Sequence, residues 1–452
     1  MDHPPDRQRL LSLGMSPSSA EEFLKLYARY RHGTAPLPDW DSLASPDPAH
    51  LPSWEALPEP PEAVTDSDLA RLVVLKLNGG LGTSMGCPGP KSLIEVKERR
   101  SFLDLILEQM EALQARAPVP LYLMNSFYTQ EPTESRISRY SGPVPVFTFQ
   151  QNRFPRLDAE TGDLLDPARF REEAWYPPGH GDFYFCVQHL GLLARWLEEG
   201  REVLFLSNAD NLGAGVDPRI LHFMLEKQIP FLMEMTPKTP ADVKGGTLYQ
   251  KDGRLHLLEL AHVPEQHQAD FLGTRKFRVF NTNNIWIHLP QLMDRLNQGG
   301  LDLDVIVNRK NVRGQAVIQL ETAVGAGLEH FEGAVGLVVP RTRFAPVKTT
   351  ADLLKVQSDL FVVEHGRLRP NPERKRADLP QVTLGDTFRN LDEYSRRFRA
   401  VPSLVDLESL VLEGDILFEG PAVLRGKVSL KARNRPLVVP AGAVLEDETR
   451  VT

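Results

Sequence analysis

The residues best suited to chemistry are two lysines, an aspartate and a set of amides, each standing where an apolar run breaks into a glycine- or asparagine-rich turn. Lys91 closes the stretch LNGGLGTSMGCPGPKS, in which Gly79, Gly80, Gly82, Gly86 and Gly89 follow the apolar run Leu72–Leu77. Glycines let backbone N–H groups approach an anion and adopt φ > 0, and the lysine adds a full positive charge, so this is a recipe for holding phosphates. It matches neither common phosphate motif. Pro90 separates Gly89 from Lys91, where a P-loop needs Gly-Lys-Ser/Thr in succession. Gly80, Gly82 and Gly86 give G-x-G-x-x-x-G leading into another β-type run, Leu93–Val96, where a dinucleotide fingerprint needs G-x-G-x-x-G opening a helix. Asp210, in SNADNLG, follows the apolar run Val203–Leu206. That is a standard position for an aspartate meeting Mg2+ carried with a nucleotide, although an Asx-turn would use the same residues. Lys348, in PVKTTAD, precedes a helix whose N-cap would be Thr349 or Thr350. A cation there opposes the helix dipole unless a phosphate sits opposite.

Polar groups that could read the rest of a ligand lie between these charges. Gln151, in FQQNRFPR, has the donor and acceptor to pair with a nucleobase edge, or it faces water from a loop. His180 stands between Gly179 and Gly181 in WYPPGHGD, which suggests a ligand close to the backbone; a structural histidine is the alternative. Gly246 enters a hairpin in DVKGGT, and Asn283 sits in FNTNN. Clustered asparagines are costly to bury without partners and could read sugar hydroxyls. No Ser-His-Asp order, metal-ligand histidine pair or paired acid/base carboxylates stand out. The chemistry therefore needs charge neutralisation and alignment more than a protein nucleophile. Nucleotidyl transfer fits: a phosphate attacks the α-phosphate of a nucleoside triphosphate in line and pyrophosphate leaves, with lysines and Mg2+ screening two anions. Fixing both reactants contributes about 7–11 kcal/mol of the barrier.

These residues must be positioned by a sheet. Strands are predicted over 72–77, 121–125, 144–149, 203–208, 230–236, 277–283 and 335–340. Helices are predicted over 102–116, 187–199, 217–228, 289–298, 319–331 and 350–363, with Ser101-x-x-Asp104 as a start signal. The continuous apolar runs are those of strands buried on both faces of a mostly parallel sheet, so the class is α/β with ligands at the carboxyl ends of strands. Thr247–Gln250 and Arg254–Leu260, joined through Lys251-Asp252-Gly253, read as a β-hairpin. Residues 1 to about 32 read as helical, with Ser18-x-x-Glu21 as a capping box, and 33–62 as a proline-rich extended belt. Residues 368–384 read as a proline- and charge-rich connector. From about 400, short apolar runs alternate with glycine turns at 414, 420 and 426, which suggests a β-solenoid, with a small β-sandwich as the alternative.

Composition bounds the partners. The 452 residues carry a net charge of −8, with a pI near 5.9, which argues against a general nucleic-acid or anionic-membrane surface. Two cysteines, Cys87 and Cys186, neither in a CxxC pair, argue against a disulfide framework or zinc site and fit a reducing cytoplasm. The N-terminus has no signal-peptide pattern, and no apolar stretch approaches the roughly 18 residues needed to span a bilayer.

The motifs LNGGLGTSMGCPGPKS, LMNSF, FQQNRFPR, WYPPGHGD, SNADNLGA, ADVKGGTL, FNTNN and PVKTTADLL, in this order, closely resemble the eukaryotic-type UTP–glucose-1-phosphate uridylyltransferases, strongly over residues 70–365. The resemblance implies a Rossmann-like (GT-A-like) nucleotidyltransferase domain with a mixed, mostly parallel sheet, and a C-terminal left-handed β-helix. The corresponding divisions are an N-terminal helix and belt over 1–70, a catalytic domain over 71–366, a connector over 367–399 and the β-helix over 400–452. It implies Mg2+-dependent, reversible synthesis of UDP-glucose and pyrophosphate from UTP and glucose 1-phosphate in the cytoplasm. Carried over motif by motif, Leu77, Asn78, Gly79 and Gly80 resemble the nucleotide loop and Lys91 a lysine contacting UTP phosphates. Gln151 and Gly179 resemble uracil-reading positions, and His180 a sugar-phosphate contact. Asn208 and Asp210 resemble the sugar-nucleotide and Mg2+ positions, and Gly246 and Asn283 glucose-side contacts. Lys348 resembles the catalytic lysine that reaches the phosphates from beyond the sheet. The sequence departs from the family at Pro88, usually lysine, and at FQQN, more often FNQS. The proline-rich segment before the loop is also unlike typical members. The resemblance leaves self-association through the C-terminal domain open. The sequence ends at VLEDETRVT, short of the tail that takes part in end-to-end assembly in some members, which weakens the expectation of a higher oligomer. The competing readings are the same chemistry on galactose 1-phosphate or N-acetylglucosamine 1-phosphate, and a catalytically silent sugar-nucleotide sensor.

Overall fold

Seven of the apolar runs pair into one sheet. The strands are β1 (Leu72–Asn78), β2 (Leu121–Asn125), β3 (Val146–Gln150), β4 (Val203–Asn208), β5 (Phe231–Pro237), β6 (Val279–His288) and β7 (Val335–Val338). They lie in the order β7-β5-β6-β4-β1-β2-β3. All neighbours are parallel except that β6 runs antiparallel to both β5 and β4. Successive residues of β1 point to opposite faces, as the pleat requires. Leu72 and Val74 join the core that includes Leu103, Ile106 and Met110 of helix Phe102–Gln114 and Ile220 and Met224 of helix Pro218–Lys227. Val73 and Leu75 join the opposite core, with Phe183 and Val187, Trp196, and Leu292 of helix Leu289–Asn297. The sheet is thus covered on both faces, which is why its central strands read as largely apolar runs such as Leu72–Leu75 and Val203–Leu206. The chain is a computed structural model that describes residues 5–33, 39–47, 50–87, 89–239, 242, 245–376 and 378–452. Pro88 and Lys244, and residues 1–4, 34–38 and 48–49 of the N-terminal helical stretch and belt, lie outside these.

Several expectations are corrected. Residues 319–331 are not a helix: Gln315–Glu321 is a strand antiparallel to Ile306–Val312, followed by a 3-10 segment, Val324–His330. The helical spacing of Leu320, Val324 and Leu328 is real, but Gly325 and Gly327 mark close contacts, not helix interior. A Cβ on Gly327 would lie 2.1 Å from the Tyr184 hydroxyl. The helix expected over 187–199 is two, Phe183–His189 and Leu192–Glu198, broken at Gly191 with φ +68°. That expected over 350–363 ends at Gln357, and Phe361–Glu364 turns back on Arg367–Pro370 as a hairpin. The N-terminal helix Pro17–His32 is capped by Ser16, with proline at its first position, rather than by Ser18. The connector holds a strand, Gln381–Leu384, and a helix, Leu391–Arg397.

The capping box at Ser101 and Asp104 is present, and Gly246–Lys251 pairs with Arg254–Glu259 as the expected hairpin. The C-terminal strands Leu407–Phe418, Val423–Val439, Val444–Glu446 and Thr449–Val451 pair in parallel. Ser409 meets Lys427, and Ser429 meets Thr449, so the chain returns beside itself after about twenty residues. An antiparallel sandwich is excluded. Among the described residues, no helix is long and apolar enough to cross a membrane.

Candidate active site

The carboxyl ends of β1 to β4 open on one edge of the sheet, and a cavity of about 310 Å3 lies there. Its lining includes Leu77, Asn78, Gly79, Gly80, Lys91, Gln151, Gly179, His180, Asn208 and Asp210, ten of the residues singled out above. Gly246, Asn283 and Lys348 stand outside that lining. The glycine loop is folded back on itself: the Lys91 N–H donates to the Gly80 carbonyl at 3.1 Å, and Leu81 bridges Pro90. This pinning brings Lys91 to the end of β1 although twelve residues lie between it and Asn78. The Asn78 amide is spent inside, donating to Asn125 Oδ1 at 2.7 Å and Thr133 Oγ1 at 3.0 Å. It therefore anchors the loop's root between β1 and β2, leaving the backbone to face the cavity.

The Lys91 ammonium pairs with Asp210 Oδ2 at 2.5 Å. The segment before Lys348 is laid along the Asp210 loop as a short ladder: Val347 N–H donates to the Asp210 carbonyl at 3.3 Å and Leu212 N–H to the Ala345 carbonyl at 3.4 Å. Asn211 locks the two together. Its Oδ1 accepts from Ala345 N–H at 2.9 Å and Gly213 N–H at 3.1 Å, while its Nδ2 donates to Asn284 Oδ1 at 3.1 Å. Thr349 caps the helix Thr350–Gln357 in a capping box with Asp352. The Lys348 side chain reaches solvent, yet enough protein surrounds its ammonium to lower its pKa; Asp210 pulls it up and Lys91 pushes it down. Two lysines and one aspartate thus share one charged locus.

Gln151 is buried, its amide nitrogen packed where a Gly79 Cβ would stand, and its Oε1 has no hydrogen-bond partner. A buried amide oxygen without a partner is costly, and it suits a ligand N–H. Gly179 has φ +85°, and a Cβ there would lie 2.6 Å from the Thr322 carbonyl, so only glycine fits. His180 Nδ1 accepts from Val324 N–H at 2.9 Å. That fixes the tautomer and leaves Nε2–H as a donor. Burial brings the ring's pKa down to about 4, so it is neutral near pH 7.

On the far side, Asn283 Nδ2 donates to Asn208 Oδ1 at 2.9 Å. Asn283 has φ +57° within β6, opposite a register shift between Met233 and Met235. Strain of this kind in a strand is held by its surroundings and clusters at ligand sites. The other asparagines of FNTNN are internal: Asn281 Oδ1 accepts from Asn283 N–H, and Asn284 Nδ2 donates to Glu234 Oε2. Glu234 is fully buried and paired with Arg343.

Sequence reading missed two carboxylates. Glu321 lines the cavity, with its pKa raised by burial. Glu259 pairs across the hairpin with Gly246, and a Cβ on Gly246 would lie 3.0 Å from its Oε1; burial raises it to about 7 against the pull of Lys348. Neither carries a motif signal, because each sits in an ordinary strand sequence. The missed network at Glu234 and Arg343 likewise looks like surface charge until the sheet buries it.

Among the described residues, no three His, Cys, Asp or Glu side chains gather to hold a metal. Two carboxylates line the cavity, Asp210 and Glu321, and Asp210 is the one beside Lys91. That fits Mg2+, which takes one or two carboxylates plus phosphate oxygens and water, and not a cage built by protein alone.

The family model for UTP–glucose-1-phosphate uridylyltransferase matches residues 20–425. A UTP–glucose-1-phosphate uridylyltransferase of Hordeum vulgare is 42% identical over 450 residues, spanning 98% of this chain and 95% of the barley protein. That of Saccharomyces cerevisiae is 43% identical, spanning 94% and 87% of the two chains. Among solved structures, a UDP-glucose pyrophosphorylase mutant from Leishmania major in complex with UDP-glucose aligns with a TM-score of 0.88 at 33% identity, covering 98% of each chain.

Proposed function

The chain belongs to the UTP–glucose-1-phosphate uridylyltransferase family, and from that membership we propose that it transfers the uridylyl group of UTP to glucose 1-phosphate. The observation that carries the reading is the Lys91–Asp210 pair in the wall of a cavity that also holds the unpartnered Gln151 oxygen, with the segment that bears Lys348 laddered onto the Asp210 loop. A phosphate oxygen of glucose 1-phosphate bonds to the α-phosphorus of UTP. The bond from that phosphorus to the oxygen bridging toward the β-phosphate breaks, and pyrophosphate leaves with the bonding pair.

Each residue has a part in this step. Gln151 and the close-packed backbone at Gly79 and Gly179 read uracil, and Leu77, Asn78 and Gly80 shape the nucleotide loop. His180, neutral, donates from Nε2 to the sugar phosphate. Asn208, Asn283 and Gly246 orient glucose, with Glu259 beside them as a hydroxyl acceptor. Lys91 and Lys348 balance the negative charge that gathers as two anions meet and pyrophosphate departs. Asp210 is the residue that would hold Mg2+, which supplies charge neutralisation at the phosphates when bound. Gathering both reactants here replaces a bimolecular encounter by a fixed one.

The wider architecture is read in the same way: residues 71–366 as the catalytic unit, 1–70 packed on it, 367–399 as connector and 400–452 as a left-handed β-helix, a surface for self-association. The parallel return about every twenty residues supports a β-helix. The site is assigned to the cytoplasm. The test is pyrophosphate release from UTP across a panel of hexose 1-phosphates with Mg2+. Turnover with glucose 1-phosphate is expected, and no turnover with any of them would end the reading.

A further inference from the structure

Lys97 is 6% exposed and has no part in the chemistry above. Its ammonium donates to the carbonyls of Gln357, at 3.3 Å, and Ser358. These close the C-terminal end of the helix Thr350–Gln357, whose N-terminal end follows Lys348. Lys97 itself ends the strand Glu95–Lys97, which follows the 3-10 turn Lys91–Leu93 after one residue. The tie is doubled: Gln357 Nε2 donates to the Glu95 carbonyl at 3.2 Å, and Gln357 Oε1 accepts from the Tyr394 hydroxyl at 2.7 Å. Ile94 and Val96 on one side and Val347, Leu353 and Leu354 on the other share a single apolar cluster.

A buried ammonium is expensive unless its hydrogens are used, and a helix C-terminus offers unsatisfied carbonyls and a favourable dipole. An apolar residue of the same bulk would serve the cluster but leave those carbonyls unsatisfied. The placement also has a reach. The chain runs from Lys91 to Lys97, crosses to the helix end, and returns along a helix of about 12 Å to Lys348, so the two lysines sit at the ends of one closed frame.

We propose that Lys97 is a positioning residue that sets Lys348 relative to Lys91 by clamping the C-terminal end of the Lys348 helix to the strand that follows Lys91. The inference rests on the reading of both lysines as phosphate-binding groups. The clamp acts through Lys348, so its loss is felt at the transition state and not in nucleotide affinity.

The test is steady-state kinetics of Lys97→Met and Lys97→Arg, alone and in a Lys348→Ala background. Lys97→Met is expected to lower kcat about tenfold or more, as a misplaced group does, with KM for UTP little changed. Lys97→Arg, which keeps charge and donors, recovers most of the loss. With Lys348 already removed, Lys97→Met changes kcat by less than about twofold, because residues acting through one another are not additive. Unchanged kcat in Lys97→Met, no rescue by arginine, or losses that multiply in the double variant each overturn the clamp. If Lys97→Met does not fold, Lys97→Gln, which is uncharged and too short to reach both carbonyls, is expected to lower kcat in the same direction by a smaller factor, and unchanged kcat in it overturns the clamp. A wild-type protein without uridylyl transfer overturns the functional reading itself, while an active wild type indifferent to Lys97 overturns only the clamp.

Discussion

At the scale of single residues, the two site lysines differ in what holds them. Lys91 is fixed by its ion pair with Asp210 and by the pinned loop, whereas Lys348 arrives on a separate segment laid along the Asp210 loop. A cation that is not part of the nucleotide's cradle contributes mainly where charge develops, so Lys348→Ala is expected to lower kcat by about 100-fold or more with a small change in KM for UTP. Steady-state kinetics decide it, and equal kcat would remove Lys348 from the mechanism. His180 carries a pH signature. Folding holds its imidazole at about 4 against an ordinary 6.5, so the unfolded chain binds the proton first. Its stability contribution is full above pH 6.5 and is lost as pH falls toward 4. Asp182, raised to about 6 from 3.8 by burial, has the opposite sign and gains stability as pH falls through that window. His180→Gln should therefore gain Tm relative to wild type as pH drops from 6.5 to 4, with Asp182 cancelling in the difference. A Tm difference constant across those pH values would show that the ring titrates normally.

At the scale of elements, the Asp210 loop and the Lys348 segment are one piece because Asn211 accepts from both Gly213 and Ala345 and hands its amide to Asn284 and the Arg343 carbonyl. Asn211→Ala orphans buried groups and is expected to cost about 1–3 kcal/mol of stability. It should also reduce kcat more than it raises KM for UTP; a loss of Tm with kcat intact would limit Asn211 to stability. The sequence made the strands of this site legible, because Leu72–Leu77 and Val203–Leu206 are apolar on both faces and admit no helix of useful length. It made the loops legible through glycines and asparagines that only a turn or a ligand requires. It misled over 319–331 because apolar residues four apart look the same on a helix as on a strand followed by a 3-10 turn, and the glycines there serve contacts with Tyr184 and Met233 that no local pattern announces. Glu234 and Arg343, paired inside the molecule, and Lys76, buried in β1 with its ammonium donating to Ser207 Oγ at 2.7 Å and the Ala214 carbonyl at 2.9 Å, were illegible because a charged side chain reads as exposed until tertiary packing buries it with its partners.

At the scale of the whole molecule, the C-terminal strands are structurally joined to the site. Met85 of the glycine loop, Ile94 and Val96 behind Lys91, and Val347, Leu353 and Leu354 behind Lys348 belong to the same apolar cluster as Phe398, Leu404, Leu407 and Leu410. A Cβ on Gly86 would lie 2.2 Å from Asn390 Nδ2, so the loop tip is seated tightly against the connector. Each fully buried leucine contributes about 1.5–3 kcal/mol, and a domain's whole margin is about 5–15 kcal/mol. Removing residues 400–452 strips several such residues from the cluster at once and leaves both lysine-bearing segments without backing. The shortened chain is therefore expected to lose its cooperative thermal transition and its uridylyl transfer together, rather than to survive as a smaller enzyme. Circular dichroism on heating and the pyrophosphate-release assay measure the two properties separately. A shortened chain that melts cooperatively and turns over at the full-length rate would mean that the cluster on the catalytic side closes on itself, and that the C-terminal strands only cover it.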